Sequence, residues 1–510
     1  METVGIRGKD ILPPDGSLAG QAIAFVRRRV RPAWLVGGYV RDQLLGRLSH
    51  DLDLVVLSDA LALARSLANA FSGAFYPLDE QRDTGRVILR DWDGSPLEVD
   101  VARARGGSLE ADLALRDFTV NALAVDLHHL EAPLVDLHNG LADLQAGLLR
   151  AVAQNSFRDD PARTLRAVRL SAHLGWRIEE RTAALIRRDA GRLINVSGER
   201  IRDELVQILR VADPAAALQL LDGLGLTLFV LPEMADLKGV TQSPPHHQDV
   251  FGHTLEVMRQ IRWVLDVARG ANLMPVGVVS GRSEPAWLVE TLTPFVPALV
   301  SHLQRRLSGE RTVTDAVLWS ALCHDWGKPE TRSVDEEAGG RIRFLGHEKA
   351  GARLARERLR LLRFSRAEVE RVATVSRNHM RPLLLARHPG YMPSRRAIYR
   401  YFRDTGDAGI DTCLVALADH LAIYGLDLEP DRWHHRLRVI AALMDSYFYR
   451  KQERVSPPPL VRGRDLMDQL GVKQGPLLGK LLEAIREAQA AGELHSRDEA
   501  LELAQRLMSE

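Results

Sequence analysis

From Ala33 to Val36 the chain is apolar without a break, the pattern of a short buried strand, and it then meets Gly37-Gly38. Tyr39 to Leu45 carries on at helical spacing, so strand, glycine turn and helix follow one another directly. The next segment, His50-Asp-Leu-Asp-Leu-Val-Val56, opens with strict alternation, which predicts a strand with Asp51 and Asp53 on one face. Ala60 to Phe71 has helical spacing, while Arg86 to Leu89 and Leu97 to Val101 read as strands around an Asp93-Gly94 hairpin turn. Glu98 and Asp100 alternate onto one face of the second strand. Past residue 150 the alternation gives way to helical periodicity. The fold class expected is therefore α+β, a small mixed β-sheet head followed by a largely all-α body.

Several stretches punctuate that body. Gly, Pro and Ser cluster between residues 268 and 313, which reads as a long loop or an insert. Pro457-Pro-Pro459 marks a linker, and Gly475-Pro476 is suited to open a helix, with Lys473 and Lys480 near its N-terminus. At 510 residues the chain is too long for a single core. The boundaries expected are 1–150, 151–235, 236–430 and 431–510.

Charge changes this picture little as a total and more in detail. A net charge of +1 excludes a uniformly basic surface, so any nucleic-acid contact must be a local patch. Residues 157–210 hold twelve arginines and no lysine on helical spacing, but the whole chain has only seven lysines, so arginine density by itself is discounted as a signal. Two cysteines, Cys323 and Cys413, give no disulfide framework and fit a reducing compartment. Met1 to Ser17 lacks an apolar leader core and no long uncharged apolar run follows, so a soluble, cytoplasmic protein with no membrane partner is expected. Eleven of the seventeen histidines fall between His246 and His435, which points to a second chemical centre.

The first centre is legible around the glycine turn. A helix N-terminus behind Gly37-Gly38 attracts anions, and Asp51 with Asp53 on the adjacent strand forms a partial oxygen shell for a divalent ion such as Mg²⁺. Glu98 or Asp100 is a third metal carboxylate or part of a solvated strand face. Asp-x-Asp by itself is more often two exposed acids at a strand end, and the value of the pattern lies in the combination.

Trp34-Leu-Val-Gly-Gly-Tyr-Val-Arg-Asp42 followed by the Asp-x-Asp strand resembles the opening of the nucleotidyltransferase superfamily, specifically the class II tRNA CCA-adding enzymes and bacterial poly(A) polymerases. Ala114-Leu-Arg-Asp-Phe-Thr-Val-Asn-Ala122 resembles a second family stretch, Arg-Arg-Asp-Phe-Thr-x-Asn-Ala, with Leu115 in place of the first arginine. The resemblance implies that Asp51 and Asp53 are catalytic metal ligands, that Gly37, Gly38, Arg41, Asp42 and Arg116 meet the triphosphate, and that Asp117 and Asn121, four apart on a helix, fix sugar and loop. Val135 to Leu144 resembles the closing strand and turn of the head.

Arg158-Asp-Asp-Pro-Ala-Arg-Thr-Leu-Arg-Ala-Val-Arg169 resembles the family's template motif, with Asp159 where the family has Glu. It implies that Asp160 and Arg163, three apart on one helix face, select the base. A carboxylate accepts from the exocyclic amine of C or A and a guanidinium donates to the neighbouring ring nitrogen, whereas U and G present a carbonyl instead of the amine. Arg166 and Arg169 are left for phosphate or RNA. An intrahelical salt bridge with solvated arginines is the bland alternative. Ser197 is a candidate N-cap for the following Glu-Arg-Ile helix, read as scaffold.

His253, then His324-Asp325, His347, His379 and Asp419, resembles an HD phosphohydrolase domain in residue type and order. That resemblance implies a primary divalent-metal site at His253, His324, Asp325 and Asp419, and a second metal held by His347 and His379. Imidazole and carboxylate together suit a metal that activates water against a phosphoester. Lys328 is read either as a substrate-phosphate contact or as a solvated lysine. The C-terminal residues resemble the helical tRNA-binding module of bacterial tRNA nucleotidyltransferases. Partners implied are tRNA, ATP and CTP. CCA addition is the reading taken, with poly(A) synthesis or partial CC- or A-addition as one alternative and an HD phosphohydrolase with an RNA-binding front half as another.

Overall fold

The computed structural model describes residues 6–271, 284–388, 390–424 and 428–509. The chain forms two compact units, Met1–Val196 with Gly223–Phe229, and Ser197–Asp222 with Val230–Glu510.

In the first unit, seven strands form one mixed sheet: β1 (Ala33–Val36), β2 (Asp51–Val56), β3 (Ala74–Asp79), β4 (Thr84–Arg90), β5 (Pro96–Arg103), β6 (Leu123–Asp126) and β7 (Val135–Asp136). Their order is β3-β4-β5-β2-β1-β6-β7. Among the described residues of this sheet, the β2–β5 pair alone is parallel, with Asp51 opposite Glu98 and Asp53 opposite Asp100. Alternation then sorts the residues. Leu52, Leu54, Val87, Leu89, Val99 and Val101 turn to a core covered by helices α1 (Leu18–Arg29) and α3 (Ala60–Ala70), through Ile23, Val26, Ala64 and Leu67. Each fully buried side chain of this size contributes about 1.5–3 kcal/mol. The acidic residues are left on the opposite face.

Helix α2 (Gly38–Leu44) begins immediately after β1, with Gly37 as its N-cap at φ +76°. The strand at β3 is an addition to the sequence reading. It is an edge strand with exposed Tyr76 and Leu78, and so lacks a clear apolar alternation.

The second unit is mainly helical. The helices Val313–Cys323 and Ala408–Tyr424 are buried on nearly every side, which explains their apolar composition all round. Ser197 caps the helix Gly198–Arg210, its hydroxyl accepting from the Arg200 N–H as expected.

The loop reading of 268–313 is corrected in its second half. Glu284–Leu292 and Val296–Gln304 are helices joined by a 3₁₀ turn, with Leu288, Leu292, Leu299 and Leu303 buried. Pro294 and Pro297, within the Gly, Pro and Ser cluster, sit in first turns, where a missing N–H costs nothing. The 272–283 part of that reading lies outside the described residues. The prolines 457–459 separate Lys451–Arg454 from Gly463–Leu470, and Pro476 opens the helix Pro476–Ala491, as its sequence predicts. These last helices share a small core around Leu466, Leu481 and Ile485.

Candidate active site

The first site is built where β1 meets α2. Gly37 is required there by two facts: its φ is positive, and a Cβ would press into Asp53 Oδ2 and stand 3.0 Å from Arg116 Nη1. The Asp53 carboxylate thus lies against bare backbone. Burial pushes this carboxyl up, Arg116 pulls it down, and Asp100 and Asp51 push it up again, to about 6. A buried carboxylate crowded by like charges is stabilised by a cation, so the donor set fits a hard divalent ion.

Around it, a cavity of about 310 Å³ is lined by Gly38, Arg41, Asp42, Asp51, Asp53, Asn121, Arg166 and Arg169, together with Arg86, Glu98 and Asp100. Most residues singled out from sequence therefore converge on one space. Arg116 stands behind the glycine turn, its Nε donating to Asp112 at 3.1 Å.

Asp117 and Asn121 are not on an α-helix. Asn121 closes a 3₁₀ turn, Thr119–Asn121, and Asp117 precedes it. They still meet, Asn121 Nδ2 donating to Asp117 Oδ1 at 3.0 Å, because an Asx-type interaction replaces the helical ladder. Asp117 also accepts from the Phe118 N–H at 2.8 Å and from Arg166 at 3.1 Å. Arg41 in turn donates to Asn121 Oδ1 at 2.7 Å and to Asp42. The result is a continuous chain, Arg41–Asn121–Asp117–Arg166. Burial works against ionising Asp117, but Arg166, the Asn121 amide and Arg163 outweigh it and hold the carboxyl at about 2.

Asp160 and Arg163 do not share a helix face. Asp160 caps the short helix Ser156–Asp159, and Arg163 starts the next helix, Arg163–Leu174. Pro161 falls in the break between these two helices. Arg163 Nη2 donates to the Leu115 carbonyl at 2.8 Å, and its Nε faces Asp160 Oδ2 at 3.9 Å. The arginine is half immobilised by backbone, and the pair remains side by side. Neither residue lines the 310 Å³ cavity.

The second site lies in the second unit. His253 stands on the helix Val250–Ala268, His324 and Asp325 follow Val313–Cys323, His347 opens His347–Leu361, His379 ends Arg366–Asn378, and Asp419 is on Ala408–Tyr424. His324, His347 and His379 share one device: each Nδ1 lies 2.7 Å from a backbone carbonyl three residues earlier. With Nδ1–H donating, each Nε2 keeps its lone pair for a ligand.

His253 Nε2 is 3.0 Å from Asp419 Oδ1, His324 Nε2 is 3.1 Å from Asp325 Oδ2, and His347 Nε2 is 3.5 Å from Asp325 Oδ1. Asp325 therefore stands between two groups, one with His253 and His324 and one with His347 and His379. His324 Nε2 is fully buried with no hydrogen-bond partner, the kind of orphan a metal satisfies. The residues fit divalent metal.

Lys328 is buried, not solvated. Its ammonium is 2.7 Å from Asp325 Oδ2 and donates to Gln242 at 2.6 Å. A cavity of about 700 Å³ opens over these groups, walled by Phe344, Leu383 and Leu384 and rimmed by Arg341, Arg387 and Arg436. His246, unassigned by the sequence reading, also lines it, its ring 5.2 Å from that of His253; burial and then Lys328 push it down to about 4. Arg86 was the other omission. Its place on the alternating β4 strand puts it on one face, a signal the sequence reading did not use, though its partner Asp100 is set only by the strand register.

Two carboxylates against a glycine turn on a mixed sheet, with arginines around a polar cavity, define a nucleotidyltransferase head; the histidine and aspartate cluster defines an HD-type metal centre. Family models agree segment by segment: the model described as "Poly A polymerase head domain" matches residues 33–150, "Probable RNA and SrmB-binding site of polymerase A" 175–238, "HD domain" 297–424, and "tRNA nucleotidyltransferase domain 2 putative" residues 448–504. An A-adding tRNA nucleotidyltransferase of Deinococcus radiodurans is 34% identical over 94% of this chain and 96% of its own length. A CC-adding tRNA nucleotidyltransferase of Thermus thermophilus is 34% identical over 92% of each. In fold, the chain matches a CCA-adding enzyme in complex with CTP (TM-score 0.60, 20% identity, 99% of this chain and 98% of that one). It likewise matches the Thermotoga maritima CCA-adding enzyme complexed with tRNA (TM-score 0.56, 20% identity, 98% of each). The chain belongs to the tRNA nucleotidyltransferase family.

Proposed function

We propose that this chain adds CMP and then AMP to tRNA 3′ ends from CTP and ATP, without a nucleic-acid template, and that its HD centre is a second, phosphohydrolase site. The single observation that carries the first part is the convergence of Asp51, Asp53, the glycine turn, Arg41 and Arg166 on one cavity.

Asp51 and Asp53 would hold Mg²⁺, which when bound lowers the pKa of the RNA 3′-hydroxyl and neutralises the triphosphate. The chain's own contribution is alignment. Gly37-Gly38 and the α2 N-terminus seat phosphate oxygens, and Arg41 and Arg116 supply charge beside them. Asp117 and Asn121 tie these groups to Arg166 on the next helix, so phosphate and base subsites are held in one frame. Asp160 and Arg163 select C or A by the donor and acceptor pattern given above, and Arg169 faces the RNA or phosphate side. In-line attack on the α-phosphate then releases pyrophosphate.

At the HD centre, His253, His324, Asp325 and Asp419 would hold one divalent ion, and His347 with His379 a second. A metal there supplies an activated water for a phosphomonoester or cyclic phosphate. Lys328, buried beside Asp325, offsets charge at the metal groups. We assign residues 1–150 to the catalytic head, 151–235 to the template and RNA-binding neck, 236–430 to the HD domain and 431–510 to a tRNA-binding module. Among the described residues no helix is long and apolar enough to cross a membrane, and we place the protein in the cytoplasm with its tRNA substrate.

A second reading is favoured by a specific observation: the near-full-length relatives named above are an A-adding and a CC-adding enzyme. The test separates these. Purified protein, Mg²⁺ and labelled nucleotides are incubated with tRNA transcripts ending before CCA, after C and after CC, with Asp51→Ala/Asp53→Ala as control. Ordered addition of C, C and A that stops there supports the proposal. Addition of CC only or A only selects a partial enzyme, a long A tail selects poly(A) synthesis, and no incorporation overturns the transferase reading.

A further inference from the structure

The face of β2, β5 and β4 that lines the head cavity carries more acid than a nucleotide-bound metal uses. Parallel register sets Asp51 beside Glu98 and Asp53 beside Asp100, and antiparallel register sets Arg86 beside Asp100. All five side chains share one face because strand alternation sends their neighbours Leu52, Val87 and Val99 to the core. Four carboxylates on one face attract cations indiscriminately and repel a triphosphate. Arg86 is the counterweight. Its Nε donates to Asp100 Oδ1 at 2.8 Å and its Nη2 to Asp100 Oδ2 at 2.9 Å, while Nη1 lies 2.7 Å from Glu98 Oε2.

A bidentate fork of this kind occupies one lone pair on each oxygen of the carboxylate, with a geometry lysine cannot reproduce. Asp100 is thereby kept from turning its carboxylate to an ion beside Asp53, although it stands directly across from it.

We propose that Arg86 is a positioning residue that withholds Asp100 from the metal shell, so that the head binds divalent cation through Asp51 and Asp53 alone and tightly only when nucleotide phosphates complete the coordination. The inference rests on the reading of Asp51 and Asp53 as the metal pair. It goes beyond that reading by making metal affinity conditional on substrate and by naming the residue responsible. Without Arg86 the site gains a third carboxylate, and affinity for the bare ion rises with ligand charge.

The test is calorimetric titration of the full-length protein with Mn²⁺ in the absence of nucleotide. The head component is defined as the part that Asp51→Asn/Asp53→Asn removes, which separates it from ions taken by the HD centre. Arg86→Gln is expected to tighten that component about tenfold or more, the scale of changes around metal ligands, and to lower the Mg²⁺ needed for half-maximal addition. Arg86→Lys, which keeps the charge but not the fork, is expected to fall between. Arg86→Gln/Asp100→Asn is expected to return to the affinity of the unchanged protein. An unchanged Mn²⁺ affinity in Arg86→Gln overturns the proposal, as does a tightening that survives Asp100→Asn. If instead Asp51→Asn/Asp53→Asn removes no bound Mn²⁺ even when a non-hydrolysable nucleoside triphosphate is present, the metal-pair reading itself fails and the proposal with it. Circular dichroism of each variant guards against misfolding, and Arg86→Met serves as the second neutral variant.

Discussion

Two adjacent glycines in the head are expected to respond to the same substitution in opposite ways. Gly37→Ala places a methyl against the Asp53 carboxylate and 3.0 Å from Arg116 Nη1, at a residue with φ +76°. Backbone at φ +76° and ψ −146° is essentially reserved for glycine and costs an L-residue roughly 1–3 kcal/mol. That corresponds to a fall in melting temperature of about 2–12 °C for a unit of this size. The larger effect is positional. Asp53 is packed on bare backbone, so the methyl forces it outward, and misplacing a reacting group by about 1 Å costs on the order of 100-fold in rate. At Gly38, by contrast, a Cβ meets nothing nearer than Arg41 Nη2 at 3.5 Å, an ordinary contact, so Gly38→Ala is expected to leave the melting temperature unchanged and to act only through nucleotide KM, since the residue lines the nucleotide cavity. Steady-state incorporation of labelled nucleotide, with thermal melting in parallel, measures both. Equal losses in the two variants, or a Gly37→Ala enzyme of full activity, would refute the close-approach argument.

The Asp117 carboxyl, held at about 2 chiefly by Arg166 and Asn121 against burial, contributes about 2 kcal/mol to the head that is fully present above pH 4 and lost as pH falls toward 2. Denaturant melts between pH 2 and 6 should show that slope and should lose it in Asp117→Asn. Asp160→Ala is expected to erode the preference for CTP and ATP over UTP and GTP by about 10- to 100-fold, the worth of one paired base contact, as read by competition between labelled nucleotides. Asp325→Ala removes the carboxylate shared by both HD metal groups, so bound metal measured by elemental analysis should fall at that centre while nucleotide addition persists. Retention of the HD metal would show that Asp325 does not bridge.

The glycine turn, the Asp-x-Asp face and the histidine order were legible because each depends on a local period. Asp51 and Asp53 share a face by alternation alone, and His253, His324, Asp325, His347, His379 and Asp419 announce themselves by residue type and sequence. Pro476 and Ser197 likewise marked helix starts by their intrinsic backbone chemistry. What the linear chain could not decide was pairing between distant segments. Register between β2, β5 and β4 put Arg86 on Asp100, and nothing in either strand states its partner. Packing of Leu288, Leu299 and Leu303 made helices of a stretch whose prolines and glycines read as loop, because burial outweighs local propensity. The break between Asp160 and Arg163 and the burial of Lys328 belong to the same class. Local order follows from the backbone and its nearest side chains, whereas solvent exclusion and charge pairing arise only once elements remote in sequence are brought together.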